Sequence, residues 1–157
     1  MLKVAVLASG RGSNFQSIID AVEKGYIKEV SIDLLVTDKK DAYARERAEK
    51  AGIESLYLNP KDFSSKDGYF VKIAEVLVKR GIGLVILAGF MRIVRKPLID
   101  AFANRILNIH PAILPSFPGL HGQKQALDYG VKIAEGPPAS VQRNQAVITA
   151  YLGTEVA

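Results

Sequence analysis

Asn108 and His110 stand two residues apart at the end of an apolar run, residues 105–109, that reads as a short buried strand. On a strand this spacing sends both side chains to one face. One is an amide able to donate to a developing oxyanion, and the other an imidazole able to exchange protons near neutral pH. Pro111, Pro115 and Pro118 follow at near-regular spacing, and Gly119 closes the stretch before Leu120 and His121. A loop this rich in proline is stiff enough to hold the pair still. The same residues also suit a plainer role, a polar strand end capped by a proline turn.

A second candidate lies near the N-terminus. Residues 3–8 form a continuous apolar run, as a strand buried on both faces requires. Ser9-Gly10-Arg11-Gly12-Ser13-Asn14 comes next, and then Phe15, Ile18, Ile19 and Val22 repeat at helical spacing as far as Gly25. Strand, glycine-rich turn and helix in this order aim backbone N–H groups at a phosphate, and Ser13 and Asn14 add side-chain donors or caps. A tight turn that merely needs glycine accounts for the same pattern. A dinucleotide fingerprint fits less well: Gly10 and Gly12 match its first two glycines, but Phe15 occupies the third position, where close helix–strand approach calls for glycine. Asp38, the candidate ribose-binding acid of such a site, comes late. A monophosphate is the better reading, and a nicotinamide oxidoreductase is the third candidate function.

The elements that must position these residues follow from periodicity. Residues 30–36 read as a second strand with Asp33 at an exposed edge or a bend, 41–51 as a small helix with a solvated charged face stopped by Gly52, and 54–58 as a third strand. A polar loop spans 59–67. Phe70, Ile73, Ala74, Leu77 and Val78 then fit the template of an amphipathic helix, its four large members contributing roughly 1.5–3 kcal/mol each on burial as an upper bound. Residues 84–87 are a fourth apolar strand running into Ala88-Gly89-Phe90-Met91-Arg92-Ile93-Val94, which suits either the lining of a pocket for a flat ring or ordinary packing. Pro97 sits in the first turn of a short helix ending near Phe102. The Asn108 strand comes next, then a helix over 123–129 and the start of another strand over 131–134. This alternation predicts an α/β fold with a doubly wound, mostly parallel sheet. Three candidate segments follow strands, so they converge on the carboxyl edge of one sheet, where ligands bind in such folds.

Composition narrows the function. The chain of 157 residues is the size of one domain, and 48% hydrophobic with 24% charged residues suits a globular core. Without cysteine it has no disulfide, thiolate metal site or thiol nucleophile, and two histidines argue against a histidine-rich metal site. The formal charge of +5 is spread without long basic runs, which points to small anionic ligands rather than nucleic acid. The apolar N-terminal run is too short for a signal peptide, and no stretch reaches the roughly 18 residues of a spanning helix. The expected compartment is the cytoplasm, with no membrane partner.

Three segments together, 8–14, 87–93 and 108–121, carry a resemblance to the phosphoribosylglycinamide formyltransferase family, folate-dependent enzymes of purine synthesis. Pro118-Gly119-Leu120-His121 favours this family over methionyl-tRNA formyltransferase and formyltetrahydrofolate deformylase. The resemblance covers residues 1–134 and implies a Rossmann-like formyltransferase fold. It implies transfer of formyl from 10-formyltetrahydrofolate, a co-substrate, to the amine of phosphoribosylglycinamide, without a metal, by a monomer or homodimer. Gly12, Ser13, Asn14, Phe15 and Gln16 then hold the nucleotide phosphate. Met91, Arg92, Ile93 and Val94 lie against the pterin, with Lys66 near the folate. Asn108 binds the formyl oxygen, and His110 is the catalytic acid.

The resemblance ends near residue 134. Relatives continue into a loop of the type Asp-Glu-x-x-Asp-x-Gly-Pro whose second Asp pairs with the catalytic His; here no Asp occurs after Asp128, and Pro137-Pro138 interrupts the strand pattern. Residues 135–157 read as a non-matching tail of the kind a reading-frame shift leaves, frame-shifted or disordered, and the α/β domain as incomplete at its C-terminal end. A histidine without its carboxylate keeps a lower pKa and a looser orientation, so much reduced turnover is expected. The alternative is a non-catalytic remnant that binds phosphate or folate.

Overall fold

Strand β1 (Leu2–Leu7) is flanked in the sheet by β2 (Val30–Thr37) and β4 (Leu84–Leu87), all parallel, in this computed structural model, which describes residues 1–109. Beyond them lie β3 (Glu54–Tyr57) against β2 and β5 (Ile106–Asn108) against β4, again parallel, giving the order β3-β2-β1-β4-β5. Helices α1 (Ser13–Glu23), α2 (Tyr43–Lys50), α3 (Lys66–Lys79) and α4 (Lys96–Ala101) make the crossovers. The chain winds outward from β1 to β3, returns, and winds outward again from β4 to β5, so the direction reverses between β1 and β4.

The two faces of the sheet divide by strand alternation. Val4, Val6 and Ala8 of the first strand segment and Leu35 of β2 pack with Phe15 and Ile19 of α1 and Ala44 and Ala48 of α2. Ala5, Leu7, Leu34 and Val36 point the other way, against Tyr69, Phe70, Ile73 and Leu77 of α3 and Leu98 of α4. This is the doubly wound α/β architecture expected from the alternating pattern.

Departures from the periodicity have local causes. Val78 is exposed, and Tyr69 takes its place as a fully buried member of α3. Its neighbours explain this: the Tyr69 ring meets Phe63 and Phe70 edge-on, at centroid distances of 5.4 and 5.2 Å, so the apolar stripe turns toward the helix N-terminus. α3 begins inside the expected polar loop, because the Ser65 hydroxyl accepts from the Gly68 N–H at 2.9 Å and caps it. A 3₁₀ turn, Pro60–Asp62, precedes it.

β5 was expected as a buried strand, but Leu107 and Ile109 are exposed. It pairs only with β4 and forms the sheet edge among the described residues. Asp33 does sit at a bend: the β1–β2 register slips by one residue there, a bulge that turns its carboxylate to Lys3 at 3.2 Å and Arg80 at 3.5 Å. Arg80 also pairs with Glu54, and that hydrogen bond raises its already high pKa. No helix among the described residues is long and apolar enough to cross a membrane.

Candidate functional site

The reversal point between β1 and β4 is where an open parallel sheet leaves a crevice. Here it opens into a cavity of about 220 Å³ lined by the turn after β1, Ser9 to Asn14, and by Ala88, Gly89 and Met91 after β4.

The turn is built around Gly12, which caps α1 with φ +67°. A Cβ on Gly12 would stand 2.8 Å from Ala44 Cβ and 3.0 Å from Ala44 Cα, so only glycine lets α2 approach this closely. α2 holds the turn from outside. The Ala44 N–H donates to the Gly10 carbonyl at 3.1 Å. Arg47 donates to the Arg11 carbonyl at 2.8 Å and to Gln16 Oε1 at 3.0 Å. The N-terminus of α1 has no side-chain cap and no acidic residue in its first turn. Its leading N–H groups and helix dipole are left to face an anion in the cavity.

Among the expected phosphate residues, Gly12, Ser13 and Asn14 line this cavity. The Phe15 side chain is fully buried against the sheet, so it offers only backbone, and the Gln16 amide is engaged with Asp20 at 2.8 Å and with Arg47. Phe15 fills the place of the third glycine of a dinucleotide fingerprint. Asp38, the candidate ribose-binding acid, is 2% exposed and bonded to Arg92 at 2.6 Å. Neither observation suits a nicotinamide site.

The segment after β4 splits between the two roles left open for it. Phe90 packs edge-on to Phe70 at 6.5 Å and joins the α3 side of the core, as does Val94. Met91 is 61% exposed and Ile93 90% exposed. The segment is tied to the first turn by Ser9, whose N–H donates to the Gly89 carbonyl at 3.1 Å and whose hydroxyl accepts from the Met91 N–H at 2.8 Å. Sequence reasoning missed Ser9 and the Asp38–Arg92 pair. Ser9 reads as one more turn residue, and a contact spanning 54 positions has no local signal.

Lys66 is exposed in the first turn of α3, next to Asp67, which pairs with Arg95 at 3.1 Å. Asn108 ends β5 opposite Leu87, with an exposed side chain on the same carboxyl edge of the sheet. His110, the proline loop and residues 123–157 lie outside the described residues.

Burial holds the Tyr69 phenol well above its ordinary value, with the Asp38 charge adding to the rise and the Arg92 charge opposing it. A group whose pKa is raised on folding contributes stability that is complete below its unfolded value, about 10 for tyrosine, and lost as pH climbs toward the folded value. Wild type is therefore expected to lose stability more steeply than Tyr69→Phe above about pH 10. Thermal melts of both across that range check this, and parallel losses would contradict it.

Comparison with known proteins bears on the same elements. The formyl transferase family model matches residues 2–139, and a branched-chain amino acid ATP-binding cassette transporter model matches residues 131–157. The chain is 40% identical over 129 residues to the phosphoribosylglycinamide formyltransferase of Escherichia coli, an alignment covering 82% of this chain and 60% of that protein. It is 44% identical over 131 residues to the trifunctional purine biosynthetic protein adenosine-3 of Drosophila pseudoobscura pseudoobscura, covering 82% of this chain and 10% of the relative. The crystal structure of glycinamide ribonucleotide transformylase 1 from Symbiobacterium toebii superposes with a TM-score of 0.81 at 46% identity, covering 84% of this chain and 62% of that one. The chain thus spans about three fifths of the length of its single-function relatives. With the family model matched over most of its length and the parallel sheet shared, the chain belongs to the formyl transferase family.

Proposed function

We propose that this chain carries the phosphate- and folate-binding half of a phosphoribosylglycinamide formyltransferase, which moves formyl from 10-formyltetrahydrofolate to the glycinamide amine. The observation that carries this reading is the uncapped, acid-free N-terminus of α1 opening onto the β1/β4 crevice beside the exposed Met91 and Ile93. An anionic group suits the first feature, and the face of an aromatic ring suits the second.

In this reading the N–H groups that follow Gly12, with Ser13 and Asn14, hold the phosphate. Phe15 and Gln16 contribute backbone. Met91, Arg92, Ile93 and Val94 receive the pterin, with Lys66 near the rest of the folate. The amine attacks the formyl carbon and the carbonyl electrons move to oxygen, where the Asn108 amide donates to them. As the tetrahedral centre collapses, the bond to the folate N10 breaks. That nitrogen takes a proton from His110, and the new amide nitrogen gives up one. No step needs a metal. A histidine without a carboxylate partner is a weaker acid–base group, and no Asp occurs among residues 129–157.

Titration calorimetry with phosphoribosylglycinamide and with its dephosphorylated riboside tests the anion site. Several charge-assisted hydrogen bonds predict that the phosphorylated ligand binds at least about a hundredfold more tightly. Equal affinity for the two ligands would remove the basis of the proposal.

A further inference from the structure

The segment 91–94 poses a physical question. Packing cannot fix Met91 and Ile93, because both side chains stand largely in solvent. Polar anchors must do so. One is Ser9, which accepts from the Met91 N–H. Another is Arg92, whose Nε donates to Asp38 Oδ2 at 2.6 Å.

That second anchor is an unusual place to put a charge. The Asp38 side chain is 2% exposed, whereas Arg92 is 37% exposed. Burying a carboxylate is costly unless its oxygens are satisfied. Asp38 Oδ1 has no hydrogen-bond partner among the described residues, and neither does the buried Tyr69 hydroxyl. The two orphans are complementary, an acceptor and a donor, and the Arg92 side chain reaches both residues. The Arg92 guanidinium stands 5.9 Å from the centre of the Tyr69 ring. Pairing the orphans, directly or through one water, removes two desolvation penalties with one small side-chain adjustment.

We infer that Asp38, Arg92 and Tyr69 form a positioning unit, in which Tyr69 steadies Asp38, Asp38 holds Arg92, and Arg92 fixes the backbone of residues 91–94 for folate. The part concerning folate rests on the function proposed above. The three residues come from the loop after β2, the helix α3 and the loop after β4. They therefore lock the exposed segment to both neighbouring layers. Tyr69 and Asp38 act only through Arg92, so they are positioning residues, and the Arg92 side chain positions the backbone of its own segment.

Hydrogen–deuterium exchange of the full chain, with Asp38→Ala, Arg92→Ala and Tyr69→Phe, tests the unit without any ligand. Each variant is expected to speed exchange of the amides of residues 90–95 by about tenfold or more, with β1 and β4 amides unchanged. The Tyr69→Phe effect is expected to vanish once Asp38 is alanine, since the hydroxyl acts only through the carboxylate. If Asp38→Ala fails to fold, the near-isosteric Asp38→Asn carries the same expectation. Faster exchange spread evenly over the sheet would reduce the three residues to general stabilisers and overturn the inference. So would a Tyr69→Phe chain that exchanges like wild type, because a hydroxyl without a partner costs nothing to remove. In a binding arm, the affinity for a 5,8-dideaza analogue of 10-formyltetrahydrofolate is expected to fall about tenfold in each variant while phosphoribosylglycinamide affinity holds. A wild-type chain that binds no folate analogue overturns the proposed function, and the exchange arm still decides the positioning unit.

Discussion

Gly12→Val is expected to cost the chain several kcal/mol of stability and to abolish phosphoribosylglycinamide binding. Two penalties combine. The backbone at Gly12 has φ +67°, a left-handed conformation that costs an L-residue roughly 1–2 kcal/mol, and more for a β-branched one. The added Cβ would meet Ala44 Cβ at 2.8 Å and Ala44 Cα at 3.0 Å. The second of these is backbone, so α2 itself must shift, at an overpacking cost of about 1–3 kcal/mol. Together these take a large share of the roughly 5–15 kcal/mol that holds a domain folded. The binding loss follows from the same geometry. The turn that aims the α1 N–H groups is held by Ala44 and Arg47, and neither bond survives an outward shift of α2. Gly10→Ala is the matched control, since a Cβ there meets nothing within 4 Å and its φ is not positive. Urea denaturation of both variants, with calorimetry of the nucleotide, measures the contrast. Equal stability for the two would show that the Gly12–Ala44 contact constrains nothing.

Asn108→Ala is expected to lower kcat about 10²–10³-fold with little change in KM, the signature of a donor used mainly in the transition state. The prediction applies to a version of the chain completed with the C-terminal part of the Escherichia coli relative. Stability should stay within about 0.5 kcal/mol of its parent, because the Asn108 side chain is exposed at the end of an edge strand. Steady-state kinetics of the completed chain checks this. A kcat within a factor of a few of the parent would take the oxyanion role from Asn108.

Much of the frame was legible because it is local. The apolar run opening the chain and residues 84–87 announced two central strands, since strands buried on both faces need no alternation. Gly52 marked the end of α2 through its φ of +66°. Asp33 marked the β2 bulge, because a charge in an apolar run must find an exit. The turn at Ser9 to Asn14 read correctly as strand, turn and helix for the same reason. What escaped was decided at long range. Tyr69 and Val78 are both acceptable at the margin of an amphipathic stripe, and only the Phe63 and Phe70 rings select the first. The exposure of β5 depends on its place in the sheet, which its own apolar residues do not encode. Asp38 comes too late for a ribose-binding acid, but nothing local points to its actual partner, Arg92, 54 residues away. The Asn108 position on the carboxyl edge followed from topology, while the residues expected beside it begin at His110, beyond those described.

Formyl transfer from 10-formyltetrahydrofolate to phosphoribosylglycinamide, measured side by side for the 157-residue chain and the completed chain, tests the central claim most directly. The completed chain is expected to transfer formyl about 10²–10⁴-fold faster than the short one, the usual contribution of a well-oriented acid–base group. His110→Ala is expected to abolish that gain. A completed chain that folds, binds neither substrate and transfers no formyl would contradict the reading of residues 1–134 as a working formyltransferase half.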